Sequence, residues 1–408
     1  MRLTRRAMLG TAAAAASTAV LPVRRARAQA PTLKIGVLTD LSGPYKDIGG
    51  PLSTDCARLA VSEFAAAKGL KVEVIQADHQ NKPDIGAGIA RQWFDRDGVD
   101  VIMDVPNSGV SLAVSGVAKE KNKIFIVNNA ATSDLTGSKC NANTIHWVYD
   151  TWMLAHSTGG ALVKTGGTSW YFITADYAFG HALQRDTTQF ITAAGGKVVG
   201  ASAYPFPGTN DFSSYLLQAQ ASGAKVVGFA NAGNDTINSI KQAKEFGITQ
   251  TLAGLLVFIS DVHGLGLKTA QGLVISSTFY WDLDDRKRAF SDRLWKKVPN
   301  VRPGMGHAGN YSGAIHYMKV AAEMGAAQAK KDGAATVARM KAMPTDDDAF
   351  GKGRIREDGR KIHPCFLFQV KKPSESKKPW DYYKLVTTVP AEEAFRPLKD
   401  GGCPLVKA

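Results

Sequence analysis

From Leu33 onward, short β-branched runs alternate with amphipathic stretches, and this alternation restricts the fold more than any motif does. The runs Leu33–Leu38, Val72–Ala77, Val101–Val105 and Ile124–Val127 are separated by helical patterns such as Ser53–Ala67 and Ile85–Arg96. The rhythm returns over Ser169–Thr174, Lys197–Ala203, Val226–Ala230, Thr251–Leu256 and Leu273–Ser277. Helices are expected between these at Ala182–Ala194, Asp211–Ala221 and Thr236–Glu245. Parallel strands need a helix-length crossover, so strand–helix alternation predicts parallel sheets with helices on both faces, an α/β fold.

The chain has 408 residues, more than one hydrophobic core comfortably serves, so two domains are expected. The first unit ends near Ile145, and a second opens with a helix at Thr151–Val163. Past Tyr280 the pattern turns to long helices, Asp284–Lys297, Tyr311–Gly325 and Gly333–Met343. Gly351–Val370 then reads as a hairpin around Asp358-Gly359, and Tyr382–Val389 as a last strand. Such an order implies two lobes joined by several crossings.

Residues 1–30 are set apart from the fold. They hold Arg2, Arg5, Arg6, Arg24, Arg25 and Arg27 with no acid, a mild apolar run at Ala7–Val23 and a small-residue end. That layout predicts a cleaved export signal. Thr4-Arg5-Arg6-Ala7-Met8-Leu9 resembles a twin-arginine signal, with an ordinary Sec signal as the alternative. The mature chain is expected to be soluble and periplasmic. It keeps 44 basic against 36 acidic residues, or +8, and the basic ones are scattered, which gives no footprint for nucleic acid. Of four cysteines, Cys140 and Cys403 lie in loop-like contexts and are expected to pair. Cys56 and Cys365 are expected to be buried and reduced.

Enzyme signatures fail on spacing. Gly43, Gly49 and Gly50 follow the first strand but do not form GxGxxG, and there is no Walker sequence, GxSxG elbow or HExxH. The eight histidines lack metal-ligand spacing, so neither a metal nor a cofactor is expected. What remains is a set of loops at the carboxyl ends of strands, where open α/β sheets bind ligands. They read Ser42-Gly43-Pro44-Tyr45, Pro106-Asn107-Ser108-Gly109, Asn128 to Ser133, Ala175 to Gly180, and Asn231 to Asp235. Their amides, hydroxyls and rings suit holding a small molecule better than acid–base chemistry.

At these residues a resemblance emerges. LKIGVLTDLSGPYKDIGG, IFIVNNAATSDLT, ITADYAFG and SSYLLQAQASGAKVVGFANAGND look like the periplasmic substrate-binding proteins of branched-chain amino-acid-type ABC transporters. The resemblance covers nearly the whole mature chain. It implies a type I periplasmic binding protein fold: two Rossmann-like lobes with parallel sheets and a three-crossing hinge near Val148–Asp150, Phe279–Trp281 and Asp348–Gly351. The expected lobes are 31–148 with 282–348 and 149–281 with 349–395, followed by a tail at 396–408. A membrane permease with its ATPase is the implied partner of a monomer that performs no catalysis.

In relatives that bind leucine, isoleucine or valine, a hydroxyl after the third strand and an AAT loop hold the ligand carboxylate. Asn107, Ser108, Ala130, Ala131 and Thr132 match those positions. The acid that holds the ammonium is replaced by Leu255-Leu256. The resemblance with this departure implies a small carboxylate-bearing solute, an aromatic acid among the candidates, held also by Tyr45, Tyr177, Phe179, Asn231, Asn234, Tyr280 and Trp281. The alternatives are a branched-chain amino acid or amide, or a sensor that presents the closed clamp to a receptor.

Overall fold

The computed structural model describes residues 31–407; the expected export signal lies outside the described residues. The first sheet is all parallel, in the order β2-β1-β3-β4-β5, from β1 (Leu33–Thr39), β2 (Val72–Asp78), β3 (Val101–Asp104), β4 (Ile124–Val127) and β5 (Thr144–His146). Its connecting helices are α1 (Gly50–Phe64), α2 (Pro83–Asp95) and α3 (Ser108–Glu120). Central β3 and β4 are buried at every residue because helices cover both faces, whereas edge strand β2 is only partly covered.

The chain then crosses to α4 (Thr151–Lys164) and a second parallel sheet, β7-β6-β8-β9. Its strands are β6 (Ser169–Ala175), β7 (Lys197–Tyr204), β8 (Val226–Ala230) and β9 (Thr251–Gly254). Its helices are α5 (Ala178–Ala193), α6 (Ser213–Ala221), α7 (Asn234–Glu245), α8 (Ile259–Leu265) and α9 (Leu267–Ala270). After β10 (Val274–Ser277) the chain returns to the first sheet with α10 (Asp285–Lys297), α11 (Met305–Met324), α12 (Ala326–Lys331) and α13 (Gly333–Ala342).

A hairpin of β11 (Arg354–Ile355) and β12 (Lys361–Ile362) follows the expected Asp358-Gly359 turn. It also clasps the edge of the first sheet through a His146–Arg360 bridge. The last crossing leads to β13 (Cys365–Val370), which pairs antiparallel with β10 and with β14 (Tyr383–Val389). Two lobes with parallel sheets are therefore joined by three crossings.

Helix α11 begins at Met305, six residues before the Tyr311 start read from the sequence, and it is buried along nearly its whole length. The glycines that hide its start are there for contact. A Cβ on Gly306 would lie 1.6 Å from Asn129 Oδ1, and one on Gly309 would lie 2.4 Å from Val148 Cγ2. Helix α3, not anticipated from the sequence, is capped by the Asn107 side chain, which accepts from Val110 N at 3.0 Å.

Cys140 and Cys403 are disulfide-bonded with their Cα atoms 5.6 Å apart, and Cys56 and Cys365 are free and buried. The bond ties the tail back to the loop after β4, where Arg396 Nη2 also donates to Ser133 O at 3.0 Å. Among the described residues, no helix is long and apolar enough to cross a membrane.

Candidate functional site

Both parallel sheets begin the same way: the second strand lies to one side of the first and the third strand to the other. Each therefore has a topological switch point, between β1 and β3 and between β6 and β8. A crevice opens at the carboxyl ends of strands at such a point. The loops after these four strands face one another across the lobes and enclose a cavity.

The loop after β1 is built around Asp40. Its carboxylate accepts from the backbone N–H of Ser42, Gly43 and Tyr45 at 3.2, 2.6 and 2.8 Å, and from Asn81 Nδ2 at 2.7 Å. This buried acid aims Tyr45 at the other lobe. Its one signal in the sequence is local: an Asp shortly before Ser-Gly-Pro marks a turn. Tyr45 Oη lies 2.5 Å from Tyr177 Oη of the second lobe. Phe206, in the loop after β7, packs against both rings, at 5.2 Å from Tyr45 and 4.4 Å from Tyr177. Burial pushes both phenols well above their ordinary range, so they stay neutral hydrogen-bonding groups.

On the first lobe, Ser108 opens α3, and its Oγ accepts from the N–H of Ala131 at 3.3 Å and of Thr132 at 3.2 Å. The two amides fix Ser108 Oγ as an acceptor and so turn its O–H outward as a donor beside the N-terminus of α3, an arrangement suited to a carboxylate. Tyr149 donates to Asn129 O at 2.5 Å and meets the Phe258 ring edge-on at 5.7 Å. Leu256 and Ala232 complete the wall from the second lobe. No charged side chain of either sign lines it among the described residues. The enclosed space is about 10 Å³, roughly one water site, so a solute enters only as the rings part.

The structure brings Tyr45, Ser108, Ala131, Tyr177 and Phe179 together at this cavity, with Pro106, Asn129 and Ala232 from the expected loops, Leu256, and Ile48 and Tyr149, which were not expected there. It places the other expected residues elsewhere. Asn107 caps α3. Ala130 presents its carbonyl to His146 Nε2 at 2.8 Å. Thr132 is buried, with its Oγ1 turned to Asp134 N. Asn231 bonds to Ser239 and Thr236 within its own lobe, and Asn234 lines a separate outer cleft.

Tyr280 and Trp281 lie at the second crossing and are packing residues, not cavity wall. Tyr280 packs on Tyr383 and Phe368, and Trp281 Nε1 donates to Trp380 O at 2.9 Å beneath the Arg302 guanidinium. Aromatic residues at a crossing between two sheets have apolar surface to bury whether or not a ligand is near, and local sequence does not distinguish the two uses.

Asp235 on α7 is a second-lobe acid whose charge reaches Tyr45 and Tyr177. It accepts from Tyr204 Oη at 2.7 Å, and burial pushes its carboxyl up to about 6. Beneath the cavity Asp150 caps α4 through Met153 N at 2.8 Å and lies 3.4 Å from Arg360. Burial pulls the Arg360 guanidinium down to about 10.

A two-lobed α/β clamp with facing loops and a closed, uncharged cavity defines a solute-binding protein. The chain belongs to the periplasmic binding protein family, whose model matches residues 32–377. Among its relatives is the Leu/Ile/Val-binding protein homolog 6 of Brucella melitensis, 26% identical over 342 residues, covering 80% of this chain and 84% of that one. A periplasmic binding protein from Burkholderia mallei is 46% identical with a TM-score of 0.88, covering 92% of this chain and 99% of that one. A solute-binding protein of an ABC transporter from R. palustris, solved in complex with benzoate, shares the fold at 21% identity and a TM-score of 0.79, over 92% and 100% of the two chains.

Proposed function

We propose that this chain is the extracytoplasmic solute-binding component of an ABC uptake transporter, and that it closes on a small aromatic carboxylate. The observation that carries the reading is the chemistry of the inner wall. The Ser108 hydroxyl, held by the Ala131 and Thr132 amides, offers a donor to a carboxylate, four rings (Tyr45, Tyr149, Tyr177 and Phe179) offer flat apolar surface, and Leu256 stands where an ammonium would need an acid. An ammonium desolvated beside leucine is strongly disfavoured. The benzoate complex of the R. palustris protein is consistent with such a solute, although that likeness bears on fold alone.

The lobes of this reading are 31–148 with 282–348 and 149–281 with 349–395, and they turn about the three crossings. The closed monomer then delivers its solute to a membrane permease driven by an ATPase, without catalysis, in the periplasm. A branched-chain amino acid is the second reading, favoured by the name of the Brucella relative.

Calorimetric titration with benzoate, 4-hydroxybenzoate and leucine separates the two. The aromatic acids are expected to bind and to raise the melting temperature, by the equivalent of about 2.7 kcal/mol at one hundred times Kd. Ser108→Ala is expected to weaken them by roughly 1–3 kcal/mol. A response to leucine alone rejects the aromatic-acid reading.

A further inference from the structure

Beside the inner cavity lies a second and larger one, about 670 Å³, also walled by both lobes. The Tyr45–Gly49 loop divides them: Tyr45 and Ile48 face the inner space, while Lys46 and Asp47 face the outer. The first turn of α1 forms one side with Pro51 and Leu52. The other side is one face of α7, where Asn234, Ile237, Asn238 and Lys241 recur at helical spacing. The volume lies within the range of small-molecule sites.

The rim and the floor of this cleft differ. Lys46 and Lys241 are exposed at the rim, where water screens them. On the floor Asp261 is 1% exposed and accepts one hydrogen bond, from Phe258 N at 2.8 Å. No cation pairs with it among the described residues. The neighbouring bases are committed elsewhere. Arg302 bonds to Asp292 at 2.7 Å and stacks on Trp281 and Trp295. His307 uses both ring nitrogens, on Gly304 N and Gly49 O. Ser260 Oγ also lines the cleft, buried and without a partner. Trp380 supplies an indole. Burial, together with Asp47 across the cleft, pushes the Asp261 carboxyl up to about 7. A desolvated acid without a counter-charge is costly, and a bound cation would remove that cost.

We propose that the outer cleft is a second binding compartment and takes an organic ammonium, paired with Asp261 and Ser260 and lying against Leu52, Ile237 and Trp380. Such a site is independent of what the inner cavity binds. Its occupant would touch both lobes, so it would favour closure alongside the solute.

The test is titration of the full exported chain with 2-phenylethylammonium at pH 8, where Asp261 is ionised, read by calorimetry and tryptophan fluorescence. Saturable binding of one equivalent is expected, undiminished by saturating benzoate. Asp261→Asn keeps an acceptor for Phe258 N and should weaken the amine roughly ten-fold or more, leaving benzoate affinity unchanged. Ser260→Ala should weaken it about three-fold and decides the matter if the first variant does not fold. Absence of saturation at millimolar amine, equal affinity in the variants, or one-for-one displacement by benzoate overturns the proposal. The last outcome would place the amine in the inner cavity.

Discussion

Asp104 shows what a single buried side chain does here. It ends β3 with φ of +81°, a left-handed conformation that Asp and Asn tolerate better than most residues. It accepts from Asn129 Nδ2 at 2.5 Å, Asn310 Nδ2 at 2.8 Å and Ser53 Oγ at 3.1 Å, and so ties α1, α11 and the loop after β4 to the sheet. Burial nevertheless pushes its carboxyl up to about 6. The folded protein thus holds this proton more tightly than the unfolded chain, so this group's contribution to stability falls as pH rises from about 4 to about 6 and is level above. Asp104→Ala removes the Oδ1 acceptor that all three donors share and is expected to destabilise by roughly 1–3 kcal/mol at pH 7. It also lacks the titration, so its deficit against wild type should be larger at pH 4. Urea unfolding at both pH values checks this, and a deficit that does not change with pH would remove Asp104 as the titrating group.

The elements that matter most for closure are the loop after β7 and the start of α4. Phe206 belongs to the second lobe, yet it contacts Tyr45 of the first and Tyr177 of its own. Each aromatic pair is worth about 0.5–1.5 kcal/mol beyond area, and the contact with Tyr45 exists only when the lobes are together. Phe206→Ala is therefore expected to speed release of benzoate in stopped-flow while leaving the melting temperature of the solute-free protein nearly unchanged. An unchanged release rate would reduce Phe206 to local packing. Asp150 is different. It caps α4 and answers the buried Arg360, so Asp150→Ala leaves a buried cation without its partner. A loss of about 3–5 kcal/mol is expected by chemical denaturation, against about 1 kcal/mol for a cap alone.

At the scale of the molecule, the crossings join two sheets whose first four strands share one order, and the ligand loops meet because each sheet has its switch point facing the other. Close approach is built in at Gly233, with φ of +60°, where a Cβ would lie 2.6 Å from Pro44 O of the opposite lobe. Gly233→Ala should therefore hinder closure, seen as a larger radius of gyration by small-angle scattering in the presence of benzoate. The Cys140–Cys403 bond closes a loop across a separation of 263 residues and pins the tail to the loop after β4. Chain entropy sets an upper bound of about 5 kcal/mol on its contribution. Reduction is expected to lower the melting temperature without changing solute affinity, and a change in affinity would mean that the tail acts on the hinge.

The α/β class, the two-lobed order and the candidate ligand loops are legible in the amino-acid sequence alone. Those depend on local periodicity and on turn residues, which act over a few positions. The Ser42–Gly50 loop illustrates the limit: its glycine spacing excludes a dinucleotide cradle, yet nothing local says that Asp40 organises it or that Tyr45 meets Tyr177. Which rings are wall and which are packing follows from how the two lobes pack. The tertiary structure removed Tyr280 and Trp281 from the cavity, added Tyr149 and Ile48 to its wall and set Phe206 against two of its rings. It also revealed that the glycines of Met305–Asn310 belong to a buried helix. The reason is physical: burial and partnership depend on residues a hundred or more positions apart, and only the packed sheets bring them together.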